Sequence, residues 1–178
     1  MDGRPPVEKN VIEGFLEHLQ RQKGDRGVMA DLRHGLSEAT EYRAWPHIAR
    51  WCDLANERSR RIMLTVAAGI AVHGRSVAGG NLGSVLRKIA TGDGRGYEGL
   101  STFDARFRRL LSCSTAPEVC EHLAGVLRTA ERKGVPVDFA RLYRDLTYWS
   151  GRVKVEWARD YWGTPRDEAP VAAEREAS

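Results

Sequence analysis

The stretch "RIMLTVAAGIAV", Arg61 to Val72, is apolar on nearly every side of a helical wheel. A surface helix keeps a polar face, so a segment lacking one belongs in the interior with other helices around it. This makes 61–72 the central buried helix and requires amphipathic partners from the flanking chain. Val7 to Gln22 supplies one, with Val11, Ile12, Phe15, Leu16 and Leu19 on one stripe before the stop "KGDRG". A second runs from Asp25 or Arg26 to Leu36, with Met29, Leu32 and Leu36 inward, and "AWPHIARWCDLA" is expected as a third, with Pro46 in its first turn. After the central helix, "NLGSVLRKIATG" reads as a short helix capped by Asn81 and stopped by Gly92.

The glycine-rich "TGDGRGYEGLS" then suggests a break between two helical lobes. In "STFDARFRRLLS", Phe103, Phe107, Leu110 and Leu111 recur at the spacing of one buried face, with Ser101 or Thr102 available as cap. Ala116 to Lys133 is amphipathic through Val119, Leu123, Val126 and Leu127 and ends at Gly134 and Pro136. Asp138 caps "FARLYRDLTYWS", and Gly151 permits a bend before "RVKVEWARDYW". "VPV" is too short for a strand. The expectation is an all-α chain of two small helical bundles packed together, an N-terminal lobe over 1–98 and a C-terminal lobe over 99–162. A disordered acidic tail is expected over 163–178.

Composition fits a globular chain, 42% hydrophobic over 178 residues. No apolar run reaches the roughly 18 residues of a membrane helix, and "MDGRPPVEKN" lacks a signal-peptide apolar region, so a cytoplasmic protein is expected. Cys52, Cys113 and Cys120 form no disulfide framework. The formal charge is +4, but residues 163–178 hold two basic and four acidic side chains, leaving +6 on residues 1–162.

Candidate chemistry is sparse. "GRGYEG", Gly94 to Gly99, has the letters of a dinucleotide fingerprint, but a helix precedes it where a strand is needed. Cys113, Cys120 and His122 lack zinc-ligand spacing, and Cys120 falls among apolar positions as a small core residue. Glu118 with Glu121 and Asp145 with Glu156 read as solvated faces. No catalytic centre, metal or cofactor is expected.

Basic residues remain: Arg26 with Arg33, Arg87 with Lys88, Arg106 with Arg108 and Arg109, Arg128 with Arg132 and Lys133, and Arg152 with Lys154. Some arginines should be tied up in intrahelical pairs such as Arg141–Asp145, worth about 0.3–0.5 kcal/mol each. "RFRRLL" has no acid after Asp104 to answer its charge. Outward guanidinium on a rigid helix suits phosphate oxygens.

Taken in order, "DRGVMADLRHG" (Asp25 to Gly35), the apolar helix ending "AVHG", "NLGSVLRKI" (Asn81 to Ile89), "ARFRRLLS" (Ala105 to Ser112) and "GVPVDFARLYRDLTYW...VKVEWARDYW" (Gly134 to Trp162) resemble the CasB family. That family is the small subunit of the type I-E CRISPR surveillance complex, Cascade. The family commonly has two consecutive basic residues after the position of Leu32, where this chain has Arg33 then His34.

The resemblance implies a two-lobed, all-α, non-catalytic protein. Two copies would sit head to tail beside the backbone and large subunits, bracing the guide RNA–target DNA hybrid and holding the displaced strand. The contact candidates it implies are Arg33, Arg106, Arg109, Arg128, Arg152 and Lys154, to which charge grouping alone adds Arg26 and Arg87. The competing readings are a free-standing helical DNA-binding regulator with "NLGSVLRKIA" as recognition helix, and a small helical hydrolase using Cys113 or a carboxylate pair.

Overall fold

The computed structural model describes residues 6–92 and 96–163, and among them every regular element is helical. The order is α1 (Pro6–Gln22), α2 (Arg26–Arg33), 3-10 turns at His34–Leu36 and Glu41–Arg43, α3 (Trp45–Ile48) and α4 (Glu57–His73). There follow α5 (Leu82–Thr91), α6 (Gly96–Ser112), α7 (Ala116–Arg132), α8 (Phe139–Thr147) and α9 (Gly151–Trp162). The acidic segment from 164 onward lies outside the described residues.

Helix α4 is the central element. Asn56 caps it by accepting the Ser59 amide at 3.0 Å, and Ile62 to Ala71 are buried without interruption. The helix packs against α2, α7 and α8, while α5 packs between α6 and α9. Gly69 makes one of these approaches possible, because a Cβ there would lie 2.3 Å from the buried Phe139 ring of α8. Buried residues from both halves of the chain join in one continuous cluster. Each fully enclosed side chain, such as Met63, Leu86 or Phe107, contributes about 1.5–3 kcal/mol.

Two sequence expectations need correction. The third helix is only Trp45–Ile48. Beyond it, turn bonds take over: Trp51 N–H to the Ile48 carbonyl at 2.8 Å and Ala55 N–H to the Asp53 carboxylate at 2.9 Å. Side-chain acceptors and a guanidinium (Arg60 on the Leu54 carbonyl) compete here with helical bonding. Helix α6 begins at Gly96, so Ser101 and Thr102 lie inside it and the expected division at 98/99 falls within a helix. Tertiary packing overrides the poor propensity of its glycines: Leu100 is buried, and its carbonyl accepts the Tyr161 hydroxyl at 3.0 Å.

At the end of α4, the His73 Nε2–H donates to the Leu127 carbonyl of α7 at 2.9 Å, and the ring meets Phe139 edge-on. Burial holds this imidazole below the ordinary 6.5, outweighing the Leu127 bond and Glu131, which act the other way. The unfolded chain therefore takes up a proton near pH 6.5 where the folded one does not, and stability falls as pH drops below that value. His18, also lowered by burial and by Arg50 and Arg21, acts in the same direction. Melting curves at pH 7.5 and 5.5 should show the loss, and His73→Gln, which keeps a donor to Leu127, should reduce it. An unchanged pH response in that variant would assign the acid sensitivity elsewhere.

Candidate nucleic-acid interface

The buried face of α6 follows the expected spacing: Phe107 and Leu110 are enclosed, and Phe103 and Leu111 pack partly buried against the core. Outside, the three arginines differ. Arg108 pairs with Asp104 at 3.6 Å and lies 5.0 Å over the Trp162 ring. Asp104 also accepts the Trp162 indole N–H at 2.9 Å, so it is committed to structure. Arg106 lies 5.8 Å over the Phe103 ring, and the Arg109 Nε–H donates to His122 Nε2 of α7 at 3.2 Å. That bond requires the His122 tautomer with an unprotonated Nε2.

Arg109 meets a second candidate at the corner between α6 and α7. The Trp149 indole donates to the Cys113 carbonyl at 3.1 Å, and Lys154 Nζ lies 5.5 Å over the Trp149 ring. The charges of both Lys154 and Arg109 act on the Cys113 thiol. The corner also holds acids. Glu118 closes a capping box with Thr115, and the Ser114 and Thr115 amides hold its carboxyl below the usual carboxylate range.

The other candidates divide between exposed cations and clamps. Arg26 and Arg33 stand seven residues apart on α2, about 10 Å along one helical face. Arg33 Nε–H donates to the Ala71 carbonyl at the end of α4, at 3.0 Å. Arg128 is exposed on α7. Arg152 pairs with Glu156 at 3.2 Å, and Arg87 donates to the Tyr161 carbonyl at 2.9 Å and to the Gly163 carbonyl, holding the end of α9 against α5. Among the described residues no carboxylate lies within ion-pair distance of Arg26, Arg33, Arg106, Arg109 or Arg128.

The Arg141–Asp145 pair forms as the spacing suggests, at 2.8 Å, but Asp145 is no solvated acid. It is buried, accepts the Trp157 indole N–H at 2.8 Å, and belongs to a chain in which Arg141 also reaches Glu156 at 2.6 Å. Burial pushes the Asp145 carboxyl up, and its Trp157 and Arg141 donors oppose this. Sequence reading also missed the cationic cleft between α5 and α9, lined by Arg87, Lys88, Arg141 and Arg159. Its helices are joined by no short-range spacing, so no local signal could have shown it.

The competing chemistries find little support in the geometry. Burial raises all three thiols, Cys52 and Cys120 to about 11, the direction opposite to an activated nucleophile. No group of three metal-ligating side chains occurs among the described residues, and none of their helices is long and apolar enough to cross a membrane. Helix α5 buries Leu82, Gly83, Val85, Leu86, Ile89 and Ala90 between its neighbours, so most of its surface is taken by packing and only a narrow strip at Ser84, Arg87, Lys88 and Thr91 stays open, where a recognition helix presents a whole face to the major groove.

The sequence profile of CRISPR-associated protein Cse2 matches residues 28–162. No curated protein matches the chain. The fold is similar to the crystal structure of CasB from Thermus thermophilus, at 26% identity and a TM-score of 0.66, covering 90% of this chain and all of that one. It is likewise similar to a second crystal structure from Thermus thermophilus, of a CRISPR-associated protein of the Cse2 family, at 27% identity, TM-score 0.68 and the same coverage. With three quarters of its length matched in sequence and the same helical fold beneath it, the chain belongs to the Cse2 (CasB) family, the small subunit of type I-E Cascade.

Proposed function

We propose that this chain is a non-catalytic Cascade subunit in antiviral defence, bracing the guide RNA–target DNA hybrid and stabilising the displaced DNA strand through a sequence-independent basic surface. It would work in the cytoplasm beside a second copy of itself and the backbone and large subunits. The observation that carries this reading is the set of exposed guanidinium groups on rigid helices, Arg106, Arg109 and Arg128, without a described carboxylate partner. In an RNA-guided complex base pairing reads the sequence, and the protein needs only to hold backbones.

Arg26 and Lys154 extend the proposed contact set. Arg33, Arg87 and Arg152 are weaker members, because each guanidinium already holds a neighbour. The test has two parts. Guide RNA and other subunits should arrive with a tagged copy of this chain from cells of its source. The isolated protein should bind single- and double-stranded oligonucleotides weakly and without sequence preference. With about four phosphates contacted on duplex, log K should fall against log salt with a slope of about −3.6. Salt-insensitive binding, or a preference of about 10³-fold for one duplex sequence, would instead favour a regulator.

A further inference from the structure

The cleft between α5 and α9 encloses about 660 Å³, and Gly163, the last described residue, forms part of its wall. We propose that the acidic segment 164–178 of this same chain docks in that cleft and shields its cations from nucleic acid. The shielding, though not the docking, rests on the function proposed above.

Charge and connectivity both point to this occupant. Among the described residues, Arg87, Lys88, Arg141 and Arg159 line the cleft against one acid, Asp160. Arg141 is answered from below by Asp145 and Glu156, and Arg159 touches Asp160 at 3.2 Å. Lys88 is exposed, with no described carboxylate at its ammonium, and Arg87 adds a guanidinium held on the carbonyls of Tyr161 and Gly163. Those two bonds fix the point where the chain leaves α9 at the cleft itself.

The next fifteen residues carry Asp167, Glu168, Glu174 and Glu176 against Arg166 and Arg175, a net of −2. Asp167 and Glu168 follow Gly163 by four and five residues, a reach of up to about 13–18 Å. That compares with about 15 Å for the whole of α5, so these carboxylates can reach any cation in the cleft. A tether this short holds the segment at an effective concentration on the order of millimolar, where weak ion pairing is enough for occupancy. A phosphate backbone has the same sign of charge but lacks the tether, and must displace what is already there.

The test uses the full chain throughout. Lys88→Glu with Arg159→Glu reverses the cleft at two exposed positions while leaving the Arg87 and Arg141 clamps in place. Asp167→Asn, Glu168→Gln, Glu174→Gln and Glu176→Gln neutralise the segment. In amide NMR spectra at low salt, the cleft variant should shift signals of 164–178, and the neutralised segment should shift signals of α5 and the end of α9. Spectra in which neither set moves would overturn the docking.

For shielding, the probe is a twenty-residue oligothymidine. The neutralised chain should bind it at least about threefold tighter than the wild type, and the cleft variant should abolish that gain. A gain that persists in the cleft variant would be a whole-protein charge effect and would overturn the shielding. A cleft variant that weakens oligothymidine equally in both backgrounds would make the cleft a track for nucleic acid, again overturning it. If no chain binds oligothymidine, the proposed function fails while the NMR result still decides whether the segment docks.

Discussion

Replacing Gly83 with alanine should lower the melting temperature by about 6–12 °C. Gly83 sits in the first turn of α5 where that helix crosses α9, and a Cβ there would lie 2.0 Å from the Trp157 carbonyl oxygen, 2.8 Å from its carbon and 2.9 Å from its Cα. These are backbone atoms, so no side-chain rotation relieves the clash. Helix α9 cannot easily retreat either. Trp157 is fully buried, its indole is bonded to Asp145, and its ring packs edge-on against Trp149 with centroids 5.0 Å apart. Moving it would expose a buried carboxylate and loosen the Arg141–Glu156 contact.

Overpacking of this kind costs about 3 kcal/mol, the upper end of the usual range. For a domain of this size each kcal/mol is worth about 2–4 °C. Gly125→Ala is the control. Beyond its own helix backbone, no described atom lies within 4 Å of its Cβ position on α7, so the better helix former should leave the melting temperature unchanged or raise it. A drop below about 2 °C for Gly83→Ala would show that α5 and α9 are not locked together at this crossing.

The same crossing shows how much was legible in the sequence. All-round apolarity identified α4 as the interior helix, and residues that favour helix ends placed the Asn81 and Asp138 caps, because both signals are local. Asn81, Gly83 and Trp157 are individually ordinary; only the meeting of α5 and α9 makes glycine necessary at one of them. The start of α6 was misplaced for a related reason: Tyr161, sixty-one residues away, holds the Leu100 carbonyl where local propensity favours a loop. Asp145 was misread because the i,i+4 pairing with Arg141 was visible, whereas the Trp157 indole that buries it was not. For the candidate interface, spacing set Arg106 beside the buried face of α6 and Arg108 and Arg109 away from it, and only the family resemblance singled out Arg106 and Arg109 as contact candidates. Spacing could not show that Arg108 has a partner in Trp162, which arrives from α9.

That separation sets the second large effect. Replacing both Arg106 and Arg109 with alanine should spare the fold and weaken target capture by the assembled complex. Phe107 and Leu110 still bury the same face, and alanine is the better helix former. Among the described residues the Arg106 guanidinium touches the Phe103 ring and that of Arg109 touches His122, both arginines being exposed, so the stability change should stay within about 0.5 kcal/mol. Each lost phosphate contact should flatten the salt dependence of binding by about 0.9 in log–log slope, nearly equally for every target sequence.

Arg106→Glu with Arg109→Glu should capture less than the alanine pair, since it adds repulsion to the loss. Arg108→Ala supplies the contrast. That guanidinium is held between Asp104 and the Trp162 ring, so its removal should act more on melting than on capture. The comparison is decisive because the three side chains share one helix within four residues. If the Arg106 and Arg109 variants melt lower while their folded fraction captures targets normally, these two arginines are scaffold and drop out of the proposed contact set.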